Sequence, residues 1–225
     1  MNLQAMEGHT MNIQLKADTK KLTKHLSFIQ KQQVPFATSN ALNAVAFDAR
    51  SAVQKALPQR LDRPTKGLIN SVQVDKSKKK HLIARVGFAG KGFGKTKWTD
   101  TPALIMARLI SGGLRKPRGR AIIVPVVKNI KLNKFGNLPR TKISKLLAKP
   151  QRYFSGKPKG RDDGVYERIK KKGKPGKLKM LASYESSTSY EAGKFNLSSI
   201  VSKTVAKKYK ARFNAALSKA LASAK

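Results

Sequence analysis

The chain of 225 residues lacks cysteine, carries three histidines and has no long apolar run. Without cysteine there is no disulfide framework, no cysteine zinc site and no thiol nucleophile. His9, His25 and His81 are scattered, so we expect no metal site and no cofactor. No apolar run approaches the ~20 residues of a membrane span, and residues 1–16 lack the apolar block of a signal peptide. We therefore expect no membrane association and synthesis in a cytoplasm.

Acidic residues are also scarce. Asp and Glu number 11 against 49 Lys and Arg, which gives a formal net charge of +38. A chain this basic repels itself, so an anionic partner is expected. Nucleic acid is the commonest such partner, while an acidic protein surface or anionic lipid stays open. The alternative is a cationic surface that is only solvated.

Catalytic motifs are missing as well. The acids are dispersed, and the only adjacent pair, Asp162 and Asp163, lies in a glycine-rich stretch where adjacency alone makes no acid/base pair. Residues 88–96 end like a phosphate-binding loop. However, Ala89 occupies the position of the first glycine, and Pro102 follows where a long helix is needed. No Gly-x-Ser-x-Gly elbow occurs. The sequence predicts a protein that is not an enzyme.

Hydrophobic periodicity predicts both strands and helices. Pro35 and Pro58 are expected to bound one long helix, and Ser198 or Ser199 to cap another. Pro125 favours an edge strand or a bulge. The predicted strands cover residues 11–17, 68–74, 81–88, 121–127, 164–169 and 178–184, and the predicted helices cover residues 18–31, 36–57, 101–110, 138–149 and 196–224.

This order of elements predicts an α+β fold, with a mostly antiparallel sheet packed by two long amphipathic helices. Residues 1–10 are interpreted as an N-terminal extension and residues 11–225 as a single domain. Extended basic loops are expected at about residues 89–100, 112–120 and 155–177.

The basic clusters fall mostly in these predicted loops, and Phe93, Trp98, Tyr153 and Phe154 lie beside them. Aromatic side chains next to cations suit stacking on bases. No helix-turn-helix, zinc-finger or RNA-recognition signature accompanies them, so the pattern favours phosphate contact over base readout. The candidate polyanion-contact residues are Lys91, Lys95, Lys97, Arg115, Arg118, Arg120, Lys157, Arg161, Lys171 and Lys172.

Three stretches carry a family resemblance. They are residues 34–50 (VPFATSNALNAVAFDAR), residues 132–143 (LNKFGNLPRTKI) with the phrases at 153–156 and 164–168 that follow, and residues 213–221 (FNAALSKAL). Their layout resembles that of bacteriophage and prophage minor tail and tail-completion proteins, of the lambda protein Z type and the related neck proteins. The likeness extends over residues 11–225, whereas the N-terminal extension and the lysine-rich loops depart from it.

This resemblance implies a non-enzymatic virion protein at the head-proximal end of the tail. The implied partners are other copies of the chain in a homo-oligomeric ring, the tail tube, the tail terminator and the connector. The cationic loops would touch either the packaged DNA or the acidic surfaces of the tube and connector proteins. Two alternatives stay open. A nonspecific nucleic-acid-binding protein would bind DNA tightly by itself, and a ribosome-associated protein, suggested by charge alone, would co-sediment with ribosomal RNA.

Overall fold

A computed structural model describes residues 2–5, 12–16, 28–93, 101–117, 119–171 and 174–223. The predicted α+β class is confirmed, since helices accompany antiparallel sheets. The chain divides into two compact units, each with its own hydrophobic core. Unit 1 comprises residues 1–112 and 191–225, and unit 2 comprises residues 113–190. The single domain expected over residues 11–225 stays a prediction.

Ten strands and five helices are described. In chain order they are β1 (Asn2–Ala5), β2 (Asn12–Lys16), α1 (Phe28–Arg60), α2 (Lys66–Asn70), β3 (Val72–Asp75), β4 (Ile83–Phe88), α3 (Thr101–Ser111), β5 (Gly113–Arg115), β6 (Ile122–Pro125), α4 (Lys142–Leu147), β7 (Tyr153–Gly156), β8 (Gly164–Lys171), β9 (Lys174–Glu185), β10 (Thr188–Tyr190) and α5 (Leu197–Ala222).

Unit 1 contains an antiparallel sheet in the order β1-β2-β4-β3. The predicted apolar face of α1 is confirmed: its side chains are fully buried and pack against β3, β4 and α5. Several are alanines, which let the backbones approach closely. The fully buried residues on this face include Leu42, Val45, Ala46, Ala49, Val53 and Leu57.

The bounds of α1 correct the prediction. Pro35 and Pro58 lie inside the helix instead of bounding it. A proline removes one hydrogen bond to the preceding turn, and the burial of Val34 and Leu57 beside the two prolines holds the chain in a helix across both. The first part of the helix predicted at residues 18–31 lies outside the described residues.

The strand predicted at residues 68–74 is wrong in its first half, because these residues begin in helix α2. Thr65 caps that helix, with its Oγ1 accepting a hydrogen bond from the Leu68 N–H at 3.2 Å. The hairpin that follows is confirmed as β3 and β4, with Val72, Val86 and Phe88 fully buried.

Helix α5 packs along α1 through Leu197, Val201 and Val205. Its N-cap is Asn196, whose Oδ1 accepts from the Ser199 N–H at 2.8 Å. The expected cap at Ser198 or Ser199 is therefore wrong. Asparagine caps a helix at least as well as serine, and Asn196 precedes both serines in the chain, so the helix begins directly after it.

One carboxylate links the two long helices. Asp48 of α1 lies 3.1 Å from the Lys208 ammonium and 2.9 Å from the Arg212 guanidinium of α5. Burial alone would raise the pKa of Asp48, but the hydrogen bonds and charges of Lys208 and Arg212 outweigh it and hold the pKa below its ordinary value. This acid offsets part of the charge of α5, which carries no acid of its own.

Unit 2 contains an antiparallel sheet in the order β6-β9-β8-β7, and β5 pairs separately with β10. Its core includes Ile143 of α4 and Val165 and Ala182 of the sheet. Strand β6 lies at the sheet edge with Pro125 opposite Ala182, as the proline predicts. Gly164 begins β8 where β9 comes close: a Cβ there would collide with the Ala182 carbonyl.

Other parts of unit 2 differ from the prediction. Helix α4 is shorter than the helix expected at residues 138–149, and β5, β7 and β10 were not expected. The strands predicted at residues 164–169 and 178–184 are confirmed as β8 and β9, but both extend into the basic loop expected at residues 155–177. The loop expected at residues 112–120 contains β5. In the loop expected at residues 89–100, the first part is a turn closed by a bridge between Gly90 and Phe93, and residues 94–100 lie outside the described part.

Candidate nucleic-acid interface

The β8–β9 hairpin extends past the rest of its sheet. Strand β7 is paired with β8 only as far as Glu167, and β6 is paired with β9 only from Ala182 onward. Past these points, the described residues of β8 and β9 pair with each other. We call residues 168–179 the basic arm.

The basic arm carries seven Lys and Arg among its 12 residues and no acid. Near its base the register places an apolar residue opposite each cation, Leu178 opposite Arg168 and Ile169 opposite Lys177. Toward the tip, Lys171 and Lys174 are directly opposite each other.

An aromatic stack fixes the base of the arm. The rings of Phe154 and Tyr166 are stacked at a centroid separation of 5.6 Å, and the Arg168 guanidinium lies 4.2 Å from the centre of Phe154. Arg168 also donates to the Pro150 carbonyl at 2.7 Å. A guanidinium held over a ring in this way is oriented before it meets a partner.

Tyr166 anchors this stack from within the unit. Its side chain is fully buried, and its hydroxyl donates to the Asp162 carbonyl at 2.6 Å. Burial raises the pKa of the phenol above its ordinary value, so it stays protonated and keeps donating. Phe154 and Arg168 are thus supported by a residue that does not itself face solvent.

A second arginine, Arg152, directly precedes β7 and is held by an acid of β8. The Arg152 Nε and Nη2 lie 2.8 and 2.6 Å from the Glu167 Oε1, and this hydrogen bond raises the pKa of the guanidinium. A shallow groove runs beside this pair and is lined by three cations and one acid. Its lining residues are Gln151, Arg152, Glu167, Arg168, Ile169 and Lys170.

The structure divides the residues predicted to contact a polyanion. Arg161 lies against the arm, where its guanidinium donates to the Leu178 carbonyl at 3.4 Å, and Lys171 ends β8 within it. Lys157 is exposed just past β7, and Arg115 belongs to the separate β5–β10 pair. Arg120 is exposed in unit 2, whereas Lys91 is exposed at a turn of unit 1. The remaining candidates, which are Lys95, Lys97, Arg118 and Lys172, lie outside the described residues.

Three cations at the base of the arm were not among the predicted contact residues, because those candidates come from the basic clusters of the sequence and these three lie outside the clusters. The missed residues are Arg152, Arg168 and Lys179. The hairpin itself is predicted correctly, since two β-prone runs, residues 164–169 and 178–184, are joined by a basic segment and pair as β8 and β9.

Other kinds of site receive little support in the part of the chain that the structure describes. It contains no group of three or more acidic or histidine side chains suited to a metal ion. Among the same residues, no helix is long and apolar enough to cross a membrane. Comparison with protein-family models, with curated proteins and with solved structures gives no match to this chain. Its function is therefore argued from the site and the sequence.

Proposed function

We propose that the chain is a non-enzymatic structural protein of a bacteriophage virion, a tail-completion, neck or minor tail ring subunit at the head-proximal end of the tail. The observation that carries this proposal is the position in the fold of the three stretches that resemble phage tail proteins. Residues 34–50 lie in α1 and residues 213–221 in α5, and these two helices pack together in unit 1. The stretch from residue 132 to 168 lies in unit 2. The resemblance thus falls on the elements that build the units.

In this proposal the basic arm is the part that meets DNA. A two-stranded ribbon is narrow enough to enter the major groove of duplex DNA, and lysines that neutralise phosphates release counterions whatever the base sequence. Unit 2 concentrates such charge, with 22 Lys and Arg against 4 Asp and Glu in 78 residues. The tail tube, terminator and connector would contact the remaining surface of a ring of these subunits.

Mass spectrometry of gradient-purified, nuclease-treated particles tests the proposal. We expect the chain in complete particles, at a low copy number relative to the major capsid protein, as for a ring. Particles that are complete and infectious without the chain would contradict a structural role.

The basic arm also favours a second candidate, a nonspecific nucleic-acid-binding protein that acts outside the virion. Such a protein would bind DNA tightly as an isolated chain and would be missing from complete particles. Particle composition therefore separates the two candidates, since DNA binding by the isolated chain is compatible with both.

A further inference from the structure

A second basic feature lies in unit 1, at the turn between β3 and β4. We call residues 76–80 the lysine turn, because four of these five residues are lysines. The exception is Ser77, which is buried in the middle of the turn. The lysine turn was not among the candidate contact residues predicted from the sequence.

Helix α1 clamps the lysine turn through Ser77. The Ser77 N–H donates to the Asn43 Oδ1 at 2.8 Å, and the Asn43 Nδ2 donates back to the Ser77 carbonyl at 3.2 Å. The Ser77 hydroxyl donates to the Ser39 carbonyl at 3.0 Å, and the two serine hydroxyls are 2.9 Å apart. These bonds hold the backbone of a charged turn against a helix.

The turn is also closed at its tip. Lys78 and His81 exchange both backbone hydrogen bonds, each at 2.9 Å. Lys79 and Lys80 lie between them and are exposed. The position of these lysines is therefore set by hydrogen bonds on both sides.

The lysines themselves remain available. Lys76 lies over the ring of Phe47, 5.3 Å from its centre, and that ring is partly exposed on α1. In the described parts of the chain, Lys78, Lys79 and Lys80 form no ion pair with an acid. The hydrogen-bonded clamp thus presents positive charge that the described residues leave unneutralised.

We propose that the lysine turn is a preformed contact for the phosphate backbone of duplex DNA, with Ser39, Asn43 and Ser77 as its positioning residues. The turn contains four lysines and no arginine. A lysine ammonium is a compact point charge, so it can bind a phosphate without the fixed bidentate geometry of an arginine guanidinium. A turn that is already ordered loses little conformational freedom on binding. The inference rests on the DNA contact of the proposed function and adds a site in unit 1 to the arm of unit 2.

A pair of charge-matched variants of the full chain tests the contact. The first is Lys78→Gln, Lys79→Gln and Lys80→Gln, and the control is Lys203→Gln, Lys207→Gln and Lys210→Gln, which removes three exposed lysines from α5 of the same unit. Binding of a duplex DNA fragment is measured by filter retention over a range of salt concentrations.

The logarithm of DNA affinity falls linearly with the logarithm of salt concentration, and each neutralised phosphate contributes about 0.9 to the steepness of this slope. We expect the turn variant to make the slope shallower by about 2.7. The control should change the slope much less. Equal losses in both variants would overturn the inference, because net charge alone would then explain them. If the wild-type protein binds DNA and the turn variant binds it with the same affinity and salt slope, this inference is overturned and the proposed function is not. Wild-type protein that binds an acidic protein surface but no DNA would overturn the DNA contact of both sites.

The positioning role is tested with Asn43→Ala, which keeps every lysine. We expect a DNA affinity and a salt slope close to those of the turn variant, because the same phosphate contacts would be lost. Combining Asn43→Ala with the turn variant should cost no further affinity, because the two changes act on one contact. A merely structural role for Asn43 would lower the melting temperature and leave the salt slope unchanged, which would overturn the assignment.

Discussion

The basic arm and the lysine turn present similar charge in different ways. The arm is a ribbon whose described outer part is held by strand pairing within the hairpin alone. The lysine turn is shorter and is tied to α1 by buried hydrogen bonds. Because local stability follows such contacts, we expect the arm to gain order on binding and the turn to be ordered beforehand.

The largest expected effect is on DNA binding through the arm. The variant combines Lys170→Gln, Lys171→Gln and Lys177→Gln. We expect it to weaken DNA binding on the order of a hundredfold at 0.1 M salt and to make the salt dependence of the affinity shallower by about 2.7 on the log–log scale. Lys128→Gln, Lys131→Gln and Lys145→Gln are the matched control in unit 2, since these lysines are exposed away from the arm. Salt titrations of both variants make the comparison, and indistinguishable curves would remove the arm as the contact.

The next effect concerns the clamp. Asn43→Leu leaves the buried Ser77 N–H without its side-chain acceptor and removes one of the two side-chain donors to the Ser77 carbonyl. We expect it to destabilise the protein by about 2–3 kcal/mol. Asn40→Leu is the control, because Asn40 is exposed on the same helix. Denaturant unfolding measures both, and equal stabilities would mean that the buried hydrogen bonds contribute nothing.

A smaller effect is expected at the base of the arm. Phe154→Leu keeps an apolar side chain but loses the stacking with Tyr166 and the contact with Arg168. We expect a destabilisation of about 1–2 kcal/mol and increased backbone hydrogen exchange in residues 164–169. Unchanged exchange there would show that the stack does not hold the arm.

The smallest effect depends on pH. Because the pKa of Asp48 is lowered in the folded chain, its stabilising contribution is present above the unfolded pKa and is lost as pH falls through the folded pKa. Asp48→Asn should therefore be less stable than wild type by about 1 kcal/mol at pH 7. The gap should close below about pH 3.8. A gap that stays constant between pH 7 and pH 3 would mean that the ion pairs do not stabilise the helix pair.

The sequence predicts best what is local. The buried faces of α1 and α5 follow from apolar residues at helical spacing, and Pro125 places β6 at an edge. The strand predicted at residues 68–74 is wrong in its first half because Thr65 caps a short helix there, although the alternating apolar pattern of these residues favours a strand. The five-residue helix that results is too short to show a helical period.

The sites depend on partners that are distant in sequence. Asn43 and Ser77 are 34 positions apart in the sequence, and nothing in either residue type predicts that the two form a hydrogen bond. Residues 170–177 are predicted as a loop between two strands because lysine is disfavoured in strands, whereas pairing between β8 and β9 extends both strands into this segment. The charge that calls for an anionic partner and the basic clusters that carry it are readable from the sequence, but the hydrogen bonds and strand pairing that position these clusters are not.

The most direct test is DNA–protein cross-linking inside purified, intact particles, with the cross-linked peptides mapped by mass spectrometry. The account predicts that the chain is present and that its DNA cross-links concentrate in the basic arm, residues 168–179, and in the lysine turn, residues 76–80. A chain that is present but cross-linked only to other proteins would contradict the DNA contact, and infectious particles without it would contradict the structural role.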